Sequence, residues 1–127
     1  MTIRRGKPYL RVRDLVLEAR LGMMALEIDI LYTADCTDWE VTGQLVQQAV
    51  DELSLAVEIR YWLIENDRQA LQAYFIGSPT VRVDGSDLFP VKGATAGLRL
   101  RSYLTDEGIL GHPTIQMLRE ALGAYSG

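Results

Sequence analysis

The chain has 127 residues, 48% of them hydrophobic and 24% charged, with a net charge of −4, one cysteine and one histidine. That balance fits one domain with its own core and excludes a disordered chain. A single thiol excludes an intrachain disulfide, and one cysteine with one histidine is too few for an ordinary metal site, so neither a metal nor a cofactor is expected.

Residues 1–23 form a basic extension. Arg4, Arg5, Lys7, Arg11, Arg13 and Arg20 face only Asp14 and Glu18, a net +4 that leaves −8 for the rest of the chain. So acidic a body argues against nucleic acid as a partner. The arm is expected to be solvated, or to pack on the acidic body of its own or a neighbouring chain, which would suit a homodimer. Residues 1–8 read as irregular, and Arg11 to Met24 as a short helix carrying Val12, Leu15, Val16 and Leu21. No apolar run reaches the roughly 18 residues of a membrane span, and the start lacks a signal-peptide core. A soluble, cytoplasmic protein without a membrane partner is expected.

The organised domain is predicted over 24–127. Alternation from Leu26 to Tyr32 reads as a strand. Thr37 to Glu40 matches a capping box, and Val41, Leu45, Ala49 and Leu53 form one apolar stripe of the helix that follows. Leu55 to Ile64 reads as a second strand. Asn66 caps a second helix to about Phe75, with Ala70, Leu71, Tyr74 and Phe75 inward, and Gly77 as its stop. Thr80 to Val83, Asp84-Gly85 and a run to Phe89 give a hairpin. Leu98 to Leu104 reads as a further strand, and Pro113 falls in the first turn of a last helix with Ile115, Leu118, Ala121 and Leu122 apolar.

The residue with the most chemistry is Cys36, between the first strand and the first helix. A helix N-terminus favours a thiolate, while the flanking Asp35 and Asp38 oppose it, so the two effects nearly cancel. Ser78-Pro79-Thr80 lies between the second helix and the third strand. Trp39 is either a platform beside Cys36 or a cover for its own helix turn. His112 reads as a helix-start residue, and Asp84, Asp87, Asp106 and Glu107 as solvated turn residues. Trp62, Tyr61, Tyr74 and Phe75 have core spacing. Residues 91–97 lack the strand-then-helix setting of a phosphate loop, which argues against nucleotide binding.

This order, with Cys36 ahead of the first helix and Pro79 ahead of the third strand, resembles the thioredoxin-like superfamily over about Ala25 to Tyr125. Three stretches are similar to small bacterial thioredoxin-like proteins, some of them selenoproteins: Cys36-Thr37-Asp38-Trp39, Gly77 to Asp87, and Arg101-Ser102-Tyr103 with Thr105 to Gly108. The resemblance implies an α/β fold, a three-layer α/β/α arrangement with a mixed central sheet (βαβαββα). It implies a cis-proline at Pro79 beside a catalytic Cys36, with Trp39, Ser78, Pro79 and Thr80 binding an extended peptide or thiol through backbone groups.

Trp39 stands where a dithiol enzyme has its second cysteine, and Leu100 where the bacterial group often has one. Dithiol exchange within the chain is therefore excluded. A monothiol oxidoreductase or thiol-adduct role remains, with a protein or low-molecular-weight thiol as partner. The alternative is a non-catalytic interaction or dimerisation module that has lost the redox pair, in which Cys36 is inert. A carrier of soft metals or organomercurials is a third reading, for which one ligand is too few.

Overall fold

Strand β2, Ala25–Tyr32, forms where the alternation predicts it and becomes the centre of a mixed sheet. The computed structural model describes residues 3–4 and 25–126. The predicted Arg11 to Met24 helix and nearly all of the basic arm lie outside the described residues. One part of the arm is described: β1, Ile3–Arg4, pairs antiparallel with Trp62 and Tyr61. The irregular reading of residues 1–8 is corrected there, because a dipeptide can add to a sheet edge through backbone groups alone.

The other elements are α1 (Trp39–Glu52), β3 (Ala56–Leu63), α2 (Asp67–Ala73), β4 (Thr80–Val83), β5 (Ser86–Asp87), β6 (Tyr103–Thr105), β7 (Gly108–Leu110) and α3 (Ile115–Gly123). The sheet order is β1-β3-β2-β4-β5, with β2 and β3 parallel and β4 antiparallel to β2. The chain is thus mixed α/β. β6 and β7 form a separate two-stranded ribbon.

Alternation in the strands divides the core. Ile28, Ile30, Val81 and Val83 meet Val46, Ala49 and Val50 of α1 and Leu118 and Leu122 of α3 on one face. Leu31, Ile64, Ala70 and Phe75 form a second cluster under α2 on the other. Each Val, Leu, Ile or Phe side chain among them contributes about 1.5–3 kcal/mol on burial. On the same side of the sheet as the second cluster lies Asp29. It accepts from Arg60 Nε at 2.8 Å and from Trp62 Nε1 at 2.8 Å, while Glu27 lies 3.2 Å from Arg60.

Several local expectations are corrected. The capping box does not form: the N-cap of α1 is Asp38, in helical geometry and without a side-chain cap bond. A Cβ on Gly111 would meet its carboxylate. The buried stripe of α1 is Thr42, Gly43, Val46, Ala49 and Val50, rotated from the predicted one. Asn66 does cap α2, accepting from the Gln69 N–H, but Tyr74 ends it at φ 55° and points out, 80% exposed, as is Leu71 at 61%. The predicted strand from Leu98 shrinks to β6, and Thr114 rather than Pro113 adjoins α3, as its cap. The Asp84-Gly85 turn forms with both residues at positive φ, as a two-residue hairpin requires.

Arg119 Nε and a second guanidinium nitrogen donate to Glu52 at 2.5 and 3.0 Å, joining α3 to the end of α1. These bonds lower the Glu52 carboxyl from 4.5 to about 2. A carboxyl lower in the folded state contributes stability above pH 4.5 and loses it as the pH falls toward 2. Glu52→Gln is therefore expected to be less stable than wild type at pH 7 and equal to it near pH 2. Urea unfolding at both pH values checks this, and a gap that ignores pH would exclude the carboxylate as its source.

Candidate functional site

The loop from Thr33 to Asp38 leaves the C-terminal end of β2 and carries Cys36 toward α1. The Cys36 N–H donates to the Thr33 carbonyl at 3.1 Å, and Thr33 Oγ1 donates to Asp35 at 2.6 Å. The Thr33 N–H donates to Ser78 Oγ at 3.0 Å. That bond ties the cysteine loop to the proline loop, where the Ser78–Pro79 peptide is cis. Sequence reasoning placed Cys36, Ser78 and Pro79 together, and the structure brings their two loops into contact.

The site is closed. Cys36 is buried, with 5% of its surface exposed. The Ser78 N–H donates to the Arg99 carbonyl and the Arg101 N–H donates to the Ser78 carbonyl, both at 2.9 Å, forming a bridge between Ser78 and Leu100. The Pro79 carbonyl accepts from the Tyr103 hydroxyl. Thr80 Oγ1 donates to the Gly77 carbonyl at 2.5 Å and accepts from Arg101 at 3.2 Å. The backbone groups that would receive an extended ligand at Ser78 are already used by the segment 99–101.

Arg101, Tyr103 and Asp87 were not predicted as site residues. Arg101 is 7% exposed and pairs with Asp87 at 2.9 Å, donates to the Phe89 carbonyl, and lies 4.7 Å from the Tyr103 ring centre. Its Nε is buried without a hydrogen-bond partner. Burial pushes the Tyr103 hydroxyl well above its ordinary value; the Arg101 charge opposes this, and Asp87 and Cys36 add to it. Tyr103 therefore remains a protonated donor to Pro79. Asp87 is corrected from a solvated turn residue to the partner of a buried arginine. The signals in the sequence are the Arg101-x-Tyr103 pair and the stretch that ends at Asp87.

Trp39 does not join this group. Its ring stacks on Tyr32, centres 4.3 Å apart and planes 19° apart, and meets Tyr61 edge-on at 5.6 Å and 71°. It lines a groove of about 650 Å³ beside α1, and Cys36 is not in that lining. A second groove, of about 330 Å³, runs between Thr33 to Asp35 and Leu98-Arg99, again without Cys36 in its lining.

Among the described residues no group of three or more His, Cys, Asp or Glu side chains is placed to hold a metal ion, and no helix is long and apolar enough to cross a membrane. Compared with known proteins, the chain matches no family model, no curated protein and no solved structure.

Proposed function

We propose that the chain is a thioredoxin-like domain with a closed thiol site, acting as a non-catalytic protein-interaction module. The fold assignment rests on the order β3-β2-β4-β5, on Cys36 between β2 and α1, and on Pro79 ahead of the antiparallel β4. The observation that carries the functional reading is the burial of Cys36 together with the two backbone hydrogen bonds by which Arg99 and Arg101 occupy Ser78. A thiolate needs access to attack, and a docking peptide needs free backbone groups.

The test is kinetic. Cys36 in the native protein is expected to react with an aromatic disulfide at least about tenfold more slowly than in denaturant, since reaction waits on local opening. Wild type and Cys36→Ser are expected to be equally inactive in insulin and glutathione-disulfide reduction. A native thiol that reacts like free cysteine, together with activity lost in Cys36→Ser, would overturn the reading.

One observation favours monothiol exchange as a second reading: the buried, unpartnered Arg101 Nε belongs to the cluster that braces Pro79 through Tyr103, and the Pro79 loop is bonded to the Cys36 loop. In that chemistry Cys36 thiolate attacks a disulfide of a protein or small thiol, forming a mixed disulfide and releasing one thiolate. A second thiol from solution then attacks the mixed disulfide and returns Cys36 reduced. Segment 99–101 would have to leave Ser78 first.

A further inference from the structure

The ribbon of β6 and β7 inverts the pattern of a surface hairpin. An antiparallel pair laid on a protein body carries apolar residues inward and polar residues outward. Tyr103 is buried and its hydroxyl reaches Pro79, so its face of β6 is the inner one. Leu104 and Ile109 stand directly opposite each other on the outer face, 82% and 72% exposed. The outward row runs on along the chain through Ser102 to Leu100, both exposed. The ribbon is held by Tyr103 at Pro79 and by the close approach of Gly111 to Asp38. The described part of the basic arm, β1, lies away from it, on the far side of β3.

Among the described residues β7 pairs with β6 alone. Its outer edge, Gly108-Ile109-Leu110, holds no charge and no proline, the usual devices against strand addition. A ribbon of two strands gains little from its own pairing, and further strands add hydrogen bonds and cover for outward side chains. Register selects the added strand. When β7 of a second copy adds antiparallel about Ile109, Ile109 meets Ile109, and Gly108 of each copy faces Leu110 of the other. Residues paired across a ladder share a face, so Leu104, the two Ile109 side chains and Leu104 of the second copy form one aliphatic row across four strands. A strand from another protein would need an aliphatic residue at that one position; the second copy brings it, with its own Leu104 behind.

Charge agrees with this arrangement. Asp106 and Glu107 form the ribbon turn. A two-fold axis at Ile109 sends the two turns in opposite directions, so that the two Glu107 residues stand about 13 Å apart or more along the strands. That exceeds the Debye length of about 8 Å at physiological salt. An isologous contact uses the same edge on both copies and closes without building a filament. We propose that β7 pairs with β7 of a second copy about a two-fold axis at Ile109, which makes the chain a homodimer built on this ribbon. The inference rests on the interaction-module reading and names its partner, and it uses neither Cys36 nor the basic arm. The row offers roughly a few hundred Å² of apolar surface, so the dimer is expected to exchange with monomer instead of being permanent.

Sedimentation velocity of the full chain at micromolar to millimolar concentrations is expected to show a monomer–dimer equilibrium. Ile109→Lys sets two like charges directly opposite each other and is expected to raise the dissociation constant at least about tenfold, as is Ile109→Glu. An equimolar mixture of the two variants is expected to recover association to within about threefold of wild type, because lysine then faces glutamate. Both variants replace an exposed residue, so their urea midpoints are expected to match wild type. About 1 M salt is expected to leave wild-type association in place, since apolar contact is not screened. A wild type that stays monomeric would overturn the assignment. So would a dimer that ignores both Ile109 variants, or one that salt abolishes, which would move the contact to the basic arm. The thiol kinetics above are read on Cys36 and fail or succeed independently of these outcomes.

Discussion

Arg101→Met is expected to destabilise the fold by about 3–5 kcal/mol, the penalty for removing one partner of a buried ion pair. The Arg101 side chain is 5% exposed and that of Asp87 19%, so the orphaned carboxylate would recover little hydration. The Phe89 carbonyl and the Thr80 hydroxyl would lose a charged donor at the same time. Lysine is a poor replacement, because one ammonium cannot reach three acceptors and cover the Tyr103 ring together. Asp87→Asn combined with Arg101→Met is expected to be less damaging than the sum of the two single changes, since no charge is then left alone. Urea unfolding of the four proteins checks this. A loss under about 1 kcal/mol in Arg101→Met would exclude the network as the brace of the proline loop.

Phe75→Ala is the second large effect, at about 3–5 kcal/mol. Phe75 is fully buried and closes the smaller cluster with Leu31, Ile64 and Ala70. Helix α2 has seven residues, too few to persist without packing, and Ala70 is its one buried residue. Phe75 directly follows the left-handed Tyr74 and returns the chain to the sheet, while Arg82 donates to the carbonyls of Ala73 and Tyr74. Removing the ring leaves α2 held chiefly by those bonds. Phe75→Leu, which keeps most of the volume, is expected to lose less than half as much. Denaturant midpoints for both variants measure it, and equal losses would mean that the side chain acts through something other than filled volume.

Elements with a plain hydrophobic rhythm were legible in the sequence: β2, β3, the Asp84-Gly85 hairpin and α3. The errors share a cause. In α1 the buried face includes Thr42, whose hydroxyl donates to the Asp38 carbonyl, and Gly43, against which Tyr61 packs closely, and neither is there for being apolar. Hydrophobicity alone drew the stripe toward Val41 and Leu45. Between Leu98 and Leu104 the parity is inverted: Leu98, Leu100 and Leu104 are exposed, while Arg101 and Tyr103 are buried. A charged residue inside and leucines outside defeat any pattern that equates apolar with inward.

The candidate site was half legible. The two loops carrying Cys36 and Pro79 do meet, through Thr33 and Ser78. Their closure by residues 99–101 was not legible, since it is made by backbone groups more than twenty residues away that bear no side-chain signature. Trp39 reads in the sequence as a platform beside Cys36 or a cover for its own helix turn, and the rings it meets in space are Tyr32 and Tyr61.

Asp29 bears on how the strands choose their alignment. It stands directly opposite Arg60 on β3 and Arg82 on β4, one acid between two bases across three strands. A shift of one residue would turn Asp29 onto the face of Ile28 and Ile30 and strand a charge among aliphatic side chains, at several kcal/mol. A shift of two residues in one direction would set Asp29 against Glu58, acid against acid. Both nearby misalignments are penalised by a single side chain, whereas the aliphatic residues around it would tolerate a two-residue slip. The charge in the middle of the sheet therefore acts as a selector among competing pairings, and its contribution is to the uniqueness of the fold more than to its depth.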